Sequence, residues 1–222
     1  MDISKVEWHK IILFLSGFWL YDCSQKQQPI HALHSDYTGV AFNNKIDIDS
    51  NFSIIDYMYF FNGAGTGLGD FNNDGLEDLF FAGNKVSNTL YQNMGDLRFQ
   101  NVTEKAGLSS NVWCTGVLVE DFNQDGWLDL YVSVAGEKRS FKRKNLLYIN
   151  DKDMTFTESA TDYGLDFIDY STHAAVLDYD LDGDLDMYLL NHSNQFKNVN
   201  DPIIRKFDGS AVNMDRLLRC DW

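Results

Sequence analysis

Past the N-terminal segment, apolar positions follow no helical period. Short blocks such as Leu79-Phe80-Phe81, Leu130-Tyr131-Val132 and Met187-Tyr188-Leu189-Leu190 are bounded by Gly, Asn and Asp, as are the mixed runs Thr115-Gly116-Val117-Leu118-Val119 and His173-Ala174-Ala175-Val176-Leu177. β-branched and aromatic runs with such punctuation predict strands. The pattern also recurs. A nine-residue phrase begins at residues 70, 121 and 178, hence 51 and 57 residues apart. Longer phrases repeat in step: Asn88-Thr89-Leu90-Tyr91-Gln92-Asn93 is answered by Asn145-Leu146-Leu147-Tyr148-Ile149-Asn150, and Phe99 to Leu108 by Phe156 to Leu165. A period near 50 residues belongs to propellers and solenoids, in which each unit must stack on a neighbour. About four strands fit each unit, which is one propeller blade. The expected fold is therefore all-β, with about three antiparallel blades of a β-propeller over residues 36–222. Glu104-Lys105-Ala106 and Ser159-Ala160-Thr161 are each expected to form at most a helical turn.

The N-terminus reads differently. An apolar run from Ile11 to Tyr21 follows Lys5, His9 and Lys10 and ends at Cys23 and the polar stretch Ser24 to Gln28. The run is shorter than the roughly 20 residues a membrane-spanning helix needs, and its flanks are those of a signal peptide. Residues 1–22 are thus expected to be a helical signal peptide and residues 23–35 a flexible tether; a buried apolar helix is the alternative. Leu20-Tyr21-Asp22-Cys23 resembles the lipobox of bacterial lipoproteins, although Asp22 stands where a small residue is usual. That resemblance implies lipid attachment at Cys23 and a place at the cell surface, outer membrane or periplasm; without the lipid, the chain is expected to be secreted. Membrane contact is expected only through this anchor.

Composition narrows the classes. Hydrophobic residues make up 44% and aromatics 14% of 222 residues, enough for a packed core. Lys and Arg number 18 against 33 Asp and Glu, a net charge of −15 that argues against a nucleic-acid partner. Three cysteines are too few for a disulfide scaffold.

The acidic residues are concentrated in the repeated phrase. Its positions 1, 3, 5 and 9 are always Asp or Asn and its position 6 is always Gly. The first copy offers Asp70, Asn72, Asp74, Asp78 and the Leu76 carbonyl. The second offers Asp121, Asn123, Asp125, Asp129 and the Trp127 carbonyl, and the third Asp178, Asp180, Asp182, Asp186 and the Asp184 carbonyl. Carboxylates about 4 Å apart repel by roughly 4 kcal/mol per pair at an effective dielectric near 20, which a cation relieves. Hard oxygen donors at alternate positions around a glycine bend suit Ca2+, at about three sites. An EF-hand is excluded, because its twelfth position requires a bidentate Glu and here holds Phe81, Val132 or Leu189. Ion-free Asx turns remain the alternative, and the threefold recurrence favours the ion.

The run Gly67-Leu68-Gly69-Asp70-Phe71-Asn72-Asn73-Asp74-Gly75 resembles the FG-GAP/VCBS repeats of integrin α-subunit propellers. The blade-long phrasing of Asn88 to Asn93, Phe99 to Leu108 and Asp178 to Asn191 is similar to secreted proteins related to cartilage acidic protein. The resemblance covers residues 36–222. It implies a calcium-binding propeller of about seven blades, bacterial members at the surface or in the periplasm, and ligands at the loop positions named above. Two features depart from it. About three blades are present where closure needs at least four, and Asp215-Arg216-Leu217-Leu218-Arg219-Cys220 stands where Asn-x-Leu-Tyr-x-Asn is expected. The chain is accordingly expected to be an N-terminal piece or truncated frame of a longer protein, with open strand edges that favour association. Asp36 to Phe42 resembles the end of a blade.

Other residues invite two readings each. His173 and His192 adjoin acidic loops, but are expected to be structural; Ser171 and Thr172 beside His173 lack a nucleophile motif. Cys114 is expected to be buried and inert, with a bond to Cys220 as the alternative. Trp113, Trp127 and Tyr131 are read as core, or as a sugar-stacking surface. The basic cluster Lys138-Arg139, Lys142-Arg143-Lys144 is read as a solvated loop or a contact for an acidic partner. Asn51-Phe52-Ser53, Asn101-Val102-Thr103 and Asn191-His192-Ser193 fit a glycosylation pattern that matters only in a eukaryotic secretory route. The function expected is that of an exported, calcium-binding, non-enzymatic module that binds an extracellular protein or glycan. Its rivals are a piece of a propeller enzyme or accessory protein acting on polysaccharide, and a calcium sensor.

Overall fold

The computed structural model describes residues 31–47, 54, 57, 59–110, 112–135, 144–192 and 214–220. The signal-like segment, Cys23, most of the tether, the sequon at Asn51 and the basic residues Lys138, Arg139, Lys142 and Arg143 lie outside the described residues. The chain divides into residues 1–33 and 34–222. In the first unit, residues 31–33 are exposed and without regular structure.

The described residues of the second unit form three antiparallel sheets, as the repeat predicts. The first contains β1 (Thr66–Gly69), β2 (Asp78–Phe81), β3 (Thr89–Asn93) and β4 (Phe99–Asn101), hydrogen-bonded in sequence order. The second contains β5 (Cys114–Glu120), β6 (Asp129–Val134), β7 (Leu146–Asn150) and β8 (Phe156–Glu158), in the same order. The third contains β9 (Ser171–Leu177), β10 (Asp186–Asn191) and β11 (Arg216–Leu218), with β11 at an edge. Register repeats as well: Gly69 faces Asp78, Glu120 faces Asp129 and Leu177 faces Asp186, so each nine-residue loop joins the first strand of its blade to the second. Two short helices, α1 (Ser35–Thr38) and α2 (Thr103–Ala106), each end on a left-handed glycine, Gly39 at φ 79° and Gly107 at φ 74°. Residues 160–164 form the matching turn after β8.

Packing between blades explains the strand composition. Phe71, Phe80, Leu90, Val117, Leu130, Val132, Tyr148 and Phe156 form the core between the first two sheets, and Tyr131, Leu147, Ala174, Met187 and Leu189 that between the second and third. Strand β6 is buried on both faces, with Leu130 and Val132 turned one way and Tyr131 the other, and so carries three consecutive apolar residues. Each fully buried Leu or Phe contributes about 1.5–3 kcal/mol relative to exposure. At Gly67 a Cβ would lie 2.9 Å from methyl groups of both Val117 and Val119, so β1 needs a glycine where the next blade closes on it.

The third blade corrects one expectation. Asp215 to Cys220, which does not match the Asn-x-Leu-Tyr-x-Asn phrase, nonetheless supplies the third strand in the usual place. Leu79 faces Tyr91 in the first blade, and its counterpart Met187 faces Leu218. The first position of the phrase must accept a hydrogen bond, which Asn88 does from Gly83 N–H, Asn145 from Val134 N–H and Asp215 from Asn191 N–H. An aspartate oxygen serves as well as an asparagine oxygen.

Other side chains fall on one side of their two readings. Trp113 and Tyr131 are buried in different cores and Trp127 is half-buried on its loop, so the three make no common stacking surface. Cys114 and Cys220 form no disulfide with each other; Cys114 is buried, which pushes its thiol up to about 12.

Candidate metal centres

The three loops are built alike from backbone and side-chain hydrogen bonds. In the first, Asp70 accepts Asp74 N–H at 3.0 Å and Gly75 N–H at 2.7 Å, and Asp74 accepts Leu76 N–H at 2.9 Å. In the second, Asp121 accepts Asp125 N–H at 3.0 Å and Gly126 N–H at 2.8 Å, and Asp125 accepts Trp127 N–H at 3.0 Å. In the third, Asp178 accepts Asp182 N–H at 3.2 Å and Gly183 N–H at 3.3 Å, and Asp182 accepts Asp184 N–H at 3.3 Å. Position 6 requires glycine because the chain passes through φ 87°, 85° and 100° at Gly75, Gly126 and Gly183. These are Asx turns, and they leave further carboxylate lone pairs for an ion.

Position 9 carries a second task that the sequence did not announce. Asp78, Asp129 and Asp186 open the second strand of each blade and are fully buried. Each accepts two backbone N–H groups: Phe71 (3.2 Å) and Asn93 (2.7 Å), Phe122 (2.9 Å) and Asn150 (2.8 Å), Tyr179 (3.1 Å) and Cys220 (2.9 Å). One carboxylate thus ties the loop to the end of the third strand. For this tie the last position of that strand supplies a backbone N–H, which cysteine at 220 provides as asparagine does at 93 and 150.

The electrostatics suit a cation. Burial pushes the Asp78 and Asp129 carboxyls up to about 6, and the neighbouring carboxylates Asp70 with Asp74, or Asp121 with Asp125, add to the rise. In the third loop, carboxylate oxygens of Asp178, Asp180 and Asp186 all lie within 4.8 Å of one another. Oxygens that share an ion at about 2.3–2.6 Å stand at most about 5 Å apart, so the donors fit calcium in chemistry and spacing. The first two loops differ at position 3. There Asn72 Nδ2 donates to Asp74 at 2.8 Å and Asn123 Nδ2 to Asp125 at 3.0 Å, which offsets part of the negative charge.

Basic side chains approach two of the loops. Lys152 Nζ lies 3.2 Å from Asp125, and Arg219 reaches Asp180 at 3.7 Å and Asp182 at 3.9 Å. Since a cation beside a carboxylate opposes another, a calcium ion taken up by the second loop should be held about three- to fivefold more tightly in Lys152→Met, most at low salt. Calorimetry at two ionic strengths checks this, and unchanged affinity would exclude Lys152 as a competitor.

Loops of adjacent blades are also joined to each other. Asn73 Nδ2 donates to Gly126 O at 3.2 Å, and the buried Asn150 Nδ2 donates to Phe71 O at 2.8 Å and Leu128 O at 3.1 Å. The histidines stand apart from any such chemistry. His173 is exposed on β9, while the ring of His192 packs among Tyr57, Tyr59 and Tyr170, and burial lowers its pKa. The Ser171 hydroxyl donates to Asn191 at 2.8 Å and accepts from Asn145 at 2.9 Å, so it is committed to the blade interface.

No curated protein matches the chain. A family model does: residues 70–132, from the head of the first loop into β6 and including two of the three acidic loops, match the FG-GAP-like repeat.

Proposed function

We propose that this chain is an exported, calcium-stabilised propeller module that binds an extracellular protein or glycan and catalyses no reaction. The observation that carries the reading is the threefold recurrence, in one register, of an acidic loop between first and second strands, with three carboxylates converging in the last copy. Asp70, Asn72, Asp74 and Asp78, with their counterparts Asp121, Asn123, Asp125 and Asp129, and Asp178, Asp180, Asp182 and Asp186, would hold the ions; the carbonyls of Leu76, Trp127 and Asp184 would add a donor each. A bound ion supplies positive charge that makes ionisation of the crowded carboxylates favourable. The chain's own part is to fix the rim: the position-9 aspartates lock each loop to its blade. A cleft of about 500 Å³ between the second and third blades opens beside these loops, lined by Phe122, Tyr163, Leu165 and Met187 with Asp121 and Arg219 among its polar groups. Its size and mixed lining suit a ligand. A lipid on Cys23 would hold the module at the membrane surface.

Calcium titration of the chain by calorimetry, with thermal melts in calcium and in chelator, tests the reading. About three equivalents are expected, with dissociation constants of about 10⁻⁴ to 10⁻³ M, and a lower melting temperature in chelator. No heat and identical melts would overturn it. Release of reducing ends from polysaccharides by the calcium-loaded chain would overturn its non-catalytic part.

A further inference from the structure

The two contacts between blades are built differently at their loop ends. Between the first and second blades, side-chain amides join the loops: Asn73 bonds Gly126 O, and Asn150 bonds Phe71 O and Leu128 O. In the register of the repeat, Gln124 and Gly183 take the places of Asn73 and Gly126. Cys220, Phe122 and Leu185 likewise take those of Asn150, Phe71 and Leu128. Cysteine has no amide to donate, and among the described residues Gln124 makes no hydrogen bond to Gly183 O. All five of these residues line the cleft of about 500 Å³ between the second and third blades. The cleft therefore lies where the amide ties of the first contact are missing from the second. What the backbone offers there are acceptors, the carbonyls of Phe122, Gly183 and Leu185.

The side chains divide the cleft further. Tyr163, Leu165, Val176, Met187 and Leu218 give it apolar surface beside Phe122, whereas Glu120, Asp121 and Asp184 stand against one basic residue, Arg219. Arg219 is itself drawn to Asp180 and Asp182, at 3.7 and 3.9 Å. Glu120 and the second and third loops carry nine carboxylates between them. Lys152, Arg219 and one calcium ion in each loop would offset six of these charges, so the surroundings stay negative with the ions bound. Such a field attracts cations and turns away acidic ligands, and the carbonyls call for hydrogen-bond donors.

We propose that this cleft binds a cationic, amphipathic peptide segment of a partner protein. One apolar or aromatic side chain of the segment packs on Phe122, Leu165 and Met187, and flanking Lys or Arg residues meet the carboxylates and carbonyls of the rim. The proposal rests on the reading of the chain as an extracellular binding module and names the chemistry of its partner.

Cys220 makes a footprint possible, because it lines the cleft, is half-buried and forms no disulfide, while Cys114 is buried. In the full chain carrying Cys23→Ser, in millimolar calcium, acetyl-Lys-Leu-Lys-Phe-Lys amide at about 1 mM should slow alkylation of Cys220 by iodoacetamide about tenfold, as a dissociation constant of about 10⁻⁴ M gives. The same peptide with Glu for Lys should not protect, nor should cellohexaose. Anisotropy of the fluorescein-labelled peptide reads the variants. Glu120→Gln keeps an oxygen to accept Asp121 N–H and should raise the dissociation constant about three- to fivefold. Cys220→Asn supplies the missing amide and should raise it about tenfold or more, with a higher melting temperature, whereas Cys220→Ala should bind as the parent does. Equal protection by the acidic peptide overturns the proposal, as does parent-like binding by Cys220→Asn. Protection by cellohexaose but not by the basic peptide overturns it in favour of a glycan. Calcium uptake by calorimetry without protection overturns the proposal and leaves the calcium-stabilised module standing; protection without calcium uptake does the reverse.

Discussion

Replacement of Asp129 by alanine should cost about 3–5 kcal/mol, the range for breaking a buried charged network, and should leave the second blade unable to bind calcium. The carboxylate is fully buried and accepts Phe122 N–H at 2.9 Å through one oxygen and Asn150 N–H at 2.8 Å through the other. Alanine leaves two buried donors without acceptors, at about 1–3 kcal/mol each. Asparagine is little better, because one end of the amide is itself a donor and would face one of these N–H groups. Asp129→Asn should therefore lose about 2–3 kcal/mol. Urea denaturation in chelator isolates this loss from that of the ion. If Asp129→Asn matched the parent there, the carboxylate would be serving the metal alone and the strand tie would be wrong.

Gly116→Ala should lose about 2–3 kcal/mol, near the upper end for forcing a methyl into a packed interface. A Cβ at Gly116 would lie 2.4 Å from the Thr172 carbonyl oxygen and 2.7 Å from His173 Cα, both backbone atoms of β9. Backbone cannot rotate aside as a side chain does, so the third blade must shift from the second. Gly95→Ala supplies the contrast: its Cβ meets nothing within 4 Å, and the cost is that of φ 82° alone, about 1–2 kcal/mol. Denaturant midpoints of the two variants separate crowding from backbone strain. Equal losses would mean that the second and third blades do not press together at Gly116.

Most of the architecture was legible because it is written more than once. Loops, strand positions and the helical turn after β4 follow from phrases that recur in step. The third strand of the third blade was not, because its requirements are an oxygen acceptor at Asp215, an apolar Leu217 and a backbone N–H at Cys220. Several residues meet each of them, so letters diverge while register persists. The candidate ligands were legible as acidic positions, but the structural work of Asp78, Asp129 and Asp186 was not. Their partners are backbone groups on the third strand, and backbone groups leave no mark in a sequence. His192 was expected to be structural; its backbone N–H bonds Tyr170 O at 3.0 Å, and its ring packs among three tyrosines.

The hydrogen bond from Asn150 to Phe71 O spans 79 residues. The bonds that tie the first loop to its own blade can form once β3 has been made, and that of Asn73 to Gly126 O once the second loop has been made, but this one waits for the end of β7. At translation rates of about 5–20 residues per second, Phe71 remains without that partner for about 4–16 s after it is synthesised. During that interval the first blade also lacks the blade that buries Phe80 and Leu90. Nascent chains are then most exposed to wrong strand pairing between Phe71 and Asn150, and slower decoding of that stretch would lengthen the exposure rather than assist folding.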